Sequence, residues 1–419
     1  MIKTNQQKTS QLETFRHGAI IKLVLGITGG IAAYKAAELV RLLVKANYDV
    51  QVVMTESSTQ FITPTTMQAL SGKPVFIGMW DSQIDNGMPH IDISRDADAI
   101  VIAPCTAEFV AKLLHGRADD LLSTLCLARD CPLIVAPAMN KQMWENPATA
   151  RNFAQLVEDK IIVLGPGSGE QACGEIGLGR MLEPDQLLAG INSFFTPKLL
   201  AGKRVLITAG ATLEMIDPVR AITNLSSGKM GMAIAQTAAD MGADVTFIYG
   251  KIDFSQSEID ALGSNIHTLC SLSAESMYLA VMSQIKDFKF GSQDIFIGVA
   301  AVTDYTPSKL NAQKIKKQAA SLTIELTATK DILKDVASLP CAPFCVGFAA
   351  ETQHLIEYAS AKRIAKKLPL IVANDAKTAI GNDENSVTLI DDTGSYVLLK
   401  ADKKVIAQGI LTHISNMLK

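Results

Sequence analysis

At 419 residues the chain is too long for one ordinary core, so two or three domains are expected. Apolar residues make up 48% and charged residues 19%, which describes a well-buried globular protein and excludes a largely disordered one. The formal net charge of −3 argues against a nucleic-acid surface, and the seven cysteines, none in a CxxC pair, argue for reduced thiols rather than a disulfide or zinc framework.

Residues 1–20 are polar and lack an apolar stretch, so they read as an N-terminal extension and not as a secretory signal. The apolar run 23–33 is interrupted by glycines and is too short to span a bilayer, so no membrane association is expected. Residues 22–28 (KLVLGIT) read as a strand ending at Gly29-Gly30, 31–46 as a helix, and 49–54 (DVQVVM) as a second strand. This is a β-α-β unit, and its glycine turn is either a phosphate-binding turn or simply a tight one. The second strand ends at Thr55, where hydroxyls could cap a helix or touch a phosphate. Further strands are expected at 98–103 and 133–136, ending in Pro104-Cys105-Thr106 and Pro137-Ala138-Met139-Asn140, with helices at 107–114 and 121–128. In an open α/β sheet such strand ends line one crevice, where ligands bind.

Residues 161–164 lead as a short strand into the segment 165–181, GPGSGEQACGEIGLGRM, where six of the first fifteen residues are glycine. Glycine is disfavoured inside helices and strands, so this reads as irregular. It is either a mobile flap carrying Cys173 over an active site or a long surface loop with an incidental cysteine. A helix at 184–194 ends the first half, and 195–203, with its proline and glycine, reads as a linker.

The pattern then restarts. Strands are expected at 204–208, 244–249, 265–269, 294–299, 343–348 and 369–373. Helices are expected at 227–241, 273–286, 353–367 and 403–417, and a terminal hairpin at 387–399. Residues 212–226 read as irregular, and 322–327 as part of an added hairpin. The fold class is therefore α/β, with two doubly wound Rossmann-like domains at 21–194 and 204–419.

Three residues of the first half invite chemistry. His90 could act as a general base near neutral pH or be structural. Asn140 could hold a carboxylate through its amide or cap the next helix. Cys173 could donate a proton. In the second half, Ser226-Ser227-Gly228-Lys229 ends like a phosphate loop without the Walker spacing, so it offers either an anion site or a capped helix. Lys314, Lys316 and Lys317 form a basic cluster, Lys362 and Lys366 share one helix face, and Asp304 follows a strand end.

The motifs GITGGIAAYK, PAMNKQMW and QACGEIGLGRM resemble the flavin-dependent cysteine decarboxylase family. DPVR, TNLSSGKMG, AAVTDYTP, KIKKQ, VGFAAET and AND resemble phosphopantothenate–cysteine ligases. In this order on one chain they resemble the bacterial bifunctional proteins of coenzyme A biosynthesis. The resemblance implies a flavodoxin-like flavoprotein domain followed by a ligase domain. The ligase would activate 4′-phosphopantothenate with CTP and magnesium as an acyl-cytidylate, and L-cysteine would displace CMP. The flavoprotein would use FMN to oxidise the cysteinyl thiol, release CO2 and return 4′-phosphopantetheine. It also implies a cytoplasmic homo-oligomer with flavin sites at subunit contacts.

The resemblance makes His90 the active-site histidine, Asn140 the carboxylate binder and Cys173 the proton donor. Gly26, Thr28, Gly29, Thr55, Thr106 and Ser123 fall where FMN is contacted. Gly298, Val299, Ala300, Asp304, Lys314, Lys330, Asp331, Ile332, Phe348, Lys362 and Lys366 match nucleotide positions. Asn224, Arg220 and Lys314 match residues that handle the activated acyl group. The chain departs from the usual pattern at Ala211, Thr303, Thr306 and Thr329-Lys330. Two other readings stay open: a flavin enzyme whose ligase half is structural or regulatory, and a flavin-binding module without turnover.

Overall fold

The computed structural model describes residues 20–79, 89–260, 262–286, 293–316, 322–351, 353–375 and 381–419; the expected extension before Ile20 and Lys317 lie outside them. The chain divides into two compact units between Phe195 and Thr196.

In the first unit, strands β1 (Lys22–Ile27), β2 (Asp49–Met54), β3 (Ala99–Cys105), β4 (Leu133–Pro137) and β5 (Ile162–Val163) form one parallel sheet in the order 2-1-3-4-5. This is one of the two common doubly wound orders. The strands are continuous apolar runs because helices cover both faces. Helices α1 (Ala33–Lys45) and α8 (Pro184–Phe195) bury Leu39, Leu43, Leu187 and Ile191 on one face. Helices α4 (Ala107–Leu114), α5 (Leu121–Ala128) and α7 (Pro147–Glu158) bury Phe109, Leu122, Leu125 and Leu156 on the other. Each such side chain contributes roughly 1.5–3 kcal/mol relative to exposure. Gly26 sits in β1 under this second layer: a Cβ there would come within 2.5 Å of Ile102 and 2.6 Å of Leu122.

The segment 165–181 corrects the expectation of irregular structure. It is an antiparallel hairpin, β6 (Gly167–Glu170) and β7 (Ile176–Arg180). A glycine-rich ribbon holds strand geometry here because it packs against another backbone. Met139 N–H donates to Gly179 O at 2.9 Å, and a Cβ on Gly179 would lie 2.5 Å from Met139 O.

In the second unit, six strands run parallel: β8 (Arg204–Ala209), β11 (Asp244–Tyr249), β12 (Ile266–Cys270), β13 (Ile295–Gly298), β16 (Phe344–Glu351) and β17 (Leu370–Asp375). Their spatial order is β12-β11-β8-β13-β16-β17, the dinucleotide-fold order 3-2-1-4-5-6. It is extended by β18 (Glu384–Ile390) and β19 (Ser395–Asp402), which run antiparallel. Helix α9 (Lys229–Asp240) and the C-terminal helix Lys403–Met417 cover one face; α11 (Ala274–Lys286), α12 (Ile332–Ala337) and α13 (Leu355–Ala365) cover the other. The stretch expected to be irregular contains a hairpin, β9 (Leu213–Asp217) and β10 (Arg220–Thr223). Its polarity alternates the wrong way for recognition. Glu214 is buried, accepting the Ala274 N–H at 2.8 Å at the start of α11, while Met215 is exposed. The added hairpin pairs β14 (Tyr305–Pro307) with β15 (Leu326–Ala328).

Candidate active sites

The first candidate site lies at the carboxyl ends of β1–β4. Thr28 is buried there; its hydroxyl donates to Pro104 O at 2.8 Å and accepts the Thr106 N–H at 3.2 Å, locking β1 to the end of β3. Thr106 caps α4 through the Phe109 N–H, and Ser123 is buried in a capping box with Asp120 at the start of α5. Thr55 pairs with Ser57 at 3.1 Å. Ser57 belongs beside the expected residues, because a Cβ on Gly29 would lie 2.5 Å from its Oγ; the signal was the hydroxyl run after β2. Helix α1 follows the Gly29-Gly30 turn, and its N-cap, Ala32, gives no side-chain cap, unlike the caps of α4, α5 and α7. A Cβ on Gly30 would have only Thr106 Cγ2 nearby, at 3.6 Å. The Ala33 and Lys35 N–H groups donate to Gly30 O and Ala32 O, so the N–H groups of the glycine turn itself and the helix dipole are the donors offered to an anion; a flavin phosphate requires such donors, and the residues fit FMN.

Asn140 caps the short helix α6 (Lys141–Glu145): its Oδ1 accepts the Met143 N–H at 2.9 Å. The cap uses only the oxygen, so both readings of Asn140 coexist, with the amide N–H groups left for a carboxylate. Cys173 lies in the exposed turn of the β6–β7 hairpin, 3.6 Å from Glu175 Oε2. Gln171 fastens this turn to the start of α6. Its Oε1 accepts the Lys141 N–H at 2.9 Å and its Nε2 donates to Leu178 O at 3.1 Å. Gln142 adds a 2.6 Å bond to Glu175. The fold thus brings the segment bearing Asn140 and the turn bearing Cys173 together. Burial pushes Cys126 and Cys345 up to about 12, which leaves those thiols inert at neutral pH. His90 lies in the first turn of α3 (Pro89–Arg95), where its carbonyl accepts the Ser94 hydroxyl; no hydrogen bond joins it to Asn140 or Cys173.

In the second unit a cleft of about 180 Å³ opens at the ends of β13 and β16. It gathers Gly298, Ala300, Asp304, Lys330, Asp331, Ile332, Phe348, Lys362 and Lys366, together with Thr208 and Thr329, which were not anticipated. Val299 lies between two lining residues but packs into the core on the α9 face. Lys366 clamps Asp331 at 2.6 Å. Burial would raise Asp331, but Lys366 and the Lys334 N–H outweigh it and hold the carboxyl below its usual range. Lys362 Nζ donates to Phe348 O at 3.4 Å, and the group is pushed below the usual lysine range first by burial and then by Lys366. Lys330 reaches out of the cleft to Glu275 at 2.9 Å and lies 4.5 Å above the Tyr278 ring.

Asn224 donates to Ala301 O at 3.0 Å, next to the cleft. Asp217 is fully buried. Its carboxylate accepts the Val219 and Ile315 N–H groups at 2.9 and 3.1 Å, and it lies 3.6 Å from Arg220, which in turn donates to Ile315 O at 2.9 Å. This fixes the segment carrying Lys314, itself exposed, beside Arg220. Lys229, which follows Ser226-Ser227-Gly228, pairs with Asp383 at 2.6 Å and with Gly381 O at 3.2 Å. Gly228 opens α9 without a side-chain cap, and its positive φ of 79° favours glycine. Among the described residues, no group of three or more His, Cys, Asp or Glu could hold a metal ion, and no helix is long and apolar enough to cross a membrane.

Comparison with known proteins decides the family. A flavoprotein family model matches residues 12–196, and the model for the DNA/pantothenate metabolism flavoprotein C-terminal domain matches 200–418. The coenzyme A biosynthesis bifunctional protein CoaBC of Vibrio cholerae serotype O1 is 45% identical over 396 residues, spanning 93% of this chain and 96% of that protein. The chain belongs to the CoaBC family. CoaBC of Escherichia coli strain K12 is 42% identical over 401 residues, 94% of this chain and 96% of that protein. A crystal structure of the C-terminal domain of a CoaBC protein is 37% identical, with a TM-score of 0.44, covering 53% of this chain and 98% of that one. As a CoaBC family member, the protein is a bifunctional enzyme of coenzyme A biosynthesis, with a CTP-dependent ligase activity and an FMN-dependent decarboxylase activity.

Proposed function

We propose that the flavodoxin-like first unit decarboxylates 4′-phosphopantothenoylcysteine with Asn140 as carboxylate binder, Cys173 as final proton donor and His90 as base. When bound, FMN supplies a two-electron acceptor and donor at the carbon bearing the substrate thiol. The uncapped start of α1, with Gly29, Ser57 and Thr106 around it, would hold its phosphate. The Asn140 amide would orient the substrate carboxylate, and the Cys173 thiol would protonate the carbon that CO2 leaves. The observation carrying this reading is the set of bonds that pins the Cys173 turn against the Asn140 segment: Met139 to Gly179, Lys141 to Gln171 and Gln142 to Glu175.

The second unit would take CTP in the Lys362–Lys366 cleft, magnesium arriving with the triphosphate. Lys314, Arg220 and Asn224 would handle the acyl-cytidylate. The enzyme would work in the cytoplasm as a homo-oligomer; exposed Ile31 and Tyr34 beside the Gly29-Gly30 turn support the oligomer.

Asn224→Asp tests the ligase assignment. A carboxylate facing Ala301 O is repelled where the amide donated, so pyrophosphate should be released while condensation with cysteine slows at least about tenfold. Wild-type condensation in this variant contradicts the role.

A further inference from the structure

We propose that Lys35, Glu183 and Arg180 form a tether that sets the pose of the Cys173 hairpin relative to α1, which makes Lys35 and Glu183 positioning residues for the final protonation. This rests on the reading of Cys173 as proton donor.

Lys35 lies in the first turn of α1, yet its side chain is only 7% exposed. Removing an ammonium from water is costly unless acceptors replace the lost hydration. Here Nζ donates to Glu183 Oε1 at 2.7 Å and to Met181 O at 3.2 Å, just beyond the end of β7. The same Glu183 oxygen accepts Arg180 Nη2 at 3.0 Å. Arg180 Nη1 donates across the hairpin to Glu170 O at 3.2 Å, the last residue of β6. A Cβ on Gly169 would lie 3.0 Å from Arg180 Nη1, so glycine there leaves the guanidinium its path. Held below its usual range chiefly by the Lys35 hydrogen bond, Glu183 stays ionised at neutral pH.

The path therefore runs from α1 through Lys35, Glu183 and Arg180 to Glu170, one residue before the turn that carries Cys173. The hairpin buries only one residue of its nine, Gly179. A two-stranded ribbon of this kind is marginal by itself, so a few contacts decide where it lies. The contacts through Met139, Lys141 and Gln142 fix it to the Asn140 segment; the Lys35 tether fixes it to the helix that starts at the Gly29-Gly30 turn.

The test uses the full chain with Lys35→Met, Glu183→Gln and Arg180→Lys. Hydrogen exchange of residues 167–180 is measured without FMN, and the ratio of saturated product to unsaturated enethiol is measured in single turnovers with FMN. Loss of a charge-assisted bond should speed hairpin exchange about tenfold in Lys35→Met, leaving β1–β4 unchanged. CO2 release should persist while the saturated share falls. Arg180→Lys keeps a cation beside Glu183 and should lie between. Arg180 is half-exposed and Arg180→Lys leaves the Lys35–Glu183 pair in place, so that variant folds even where Lys35→Met does not. Unchanged hairpin exchange overturns the tether, as does a uniform rise throughout the unit. Faster exchange with an unmoved product ratio, where Cys173→Ser does move that ratio, also overturns the positioning role. If Cys173→Ser leaves the product fully saturated, the proton-donor reading itself fails and the proposal falls with it.

Discussion

In the first unit the hydroxyls at the strand ends are engaged with the protein itself, whereas in the second unit the strand ends open onto lysines. Thr28 bonds Pro104 and Thr106, Thr106 caps α4, and Ser123 closes the capping box with Asp120 at the start of α5. What remains for a ligand is neutral: backbone N–H groups, the Asn140 amide and a thiol delivered on a hairpin. The second unit instead holds Lys362 half-desolvated and Lys366 clamped to Asp331 in one cleft. Two sheets of related order thus use their carboxyl edges differently. On the proposed reading, one would orient a substrate through fixed neutral donors, and the other would attract a polyanion by charge. The first should be sensitive to geometry, the second to salt and pH.

The largest effect is expected where one atom of the neutral site changes. Asn140→Asp keeps a carboxylate oxygen to cap the Met143 N–H, so helix α6 and the melting temperature should be preserved. Yet it replaces the amide donor with a charge opposite the substrate carboxylate. Decarboxylation should fall by about 10²–10³, the size of a lost fixed donor, while ligation stays normal. Steady-state rates of both half-reactions measure this, and a loss of both activities would mean that the variant disturbs more than the amide.

Next comes the charged site. Lys362→Met should weaken nucleotide binding by roughly tenfold to a hundredfold, the range of one or two charge-assisted bonds. Lys366→Met should cost less, because Asp331 already neutralises that cation, and titration calorimetry will rank the two. An equal loss in both would show that the Asp331 clamp opens on binding.

The smallest effect is a pH dependence confined to the alkaline side. Lys362 lies below the usual lysine range in the free protein, and a bound polyphosphate favours its charged form and raises it again. Affinity should therefore be full below the free-protein value and decline as pH rises through it towards the ordinary lysine range, with proton uptake on binding in that window. Calorimetry in buffers of different ionisation enthalpy reads this uptake, which Lys362→Met should abolish.

Much of the architecture was legible because parallel strands covered on both faces are continuous apolar runs, as in Ala99–Cys105 and Arg204–Ala209. Several elements were not. The hairpin around Cys173 is glycine-rich and held by backbone bonds to Met139 and its own ladder, which leave no side-chain period. The β9–β10 pair buries Glu214 and exposes Met215, inverting the signal. Helix α7 announces its start in Asn146-Pro147, whose asparagine caps it, but the alternating polar residues that follow blur its period. In the sites, motif resemblance rather than periodicity pointed to the residues that line the cleft of the second unit. The Lys35–Glu183 pair joins residues far apart in the chain, and nothing local to either announces it.

The most direct test of the account is the mass of the product made by Cys173→Ser in a single turnover with 4′-phosphopantothenoylcysteine and FMN. A serine hydroxyl is a far weaker acid than a thiol, so CO2 should be released to the wild-type extent and the product should be the unsaturated enethiol, lighter than 4′-phosphopantetheine by one pair of hydrogens. Saturated 4′-phosphopantetheine at the wild-type rate, or no CO2 with FMN still bound, would contradict the role assigned to the hairpin thiol.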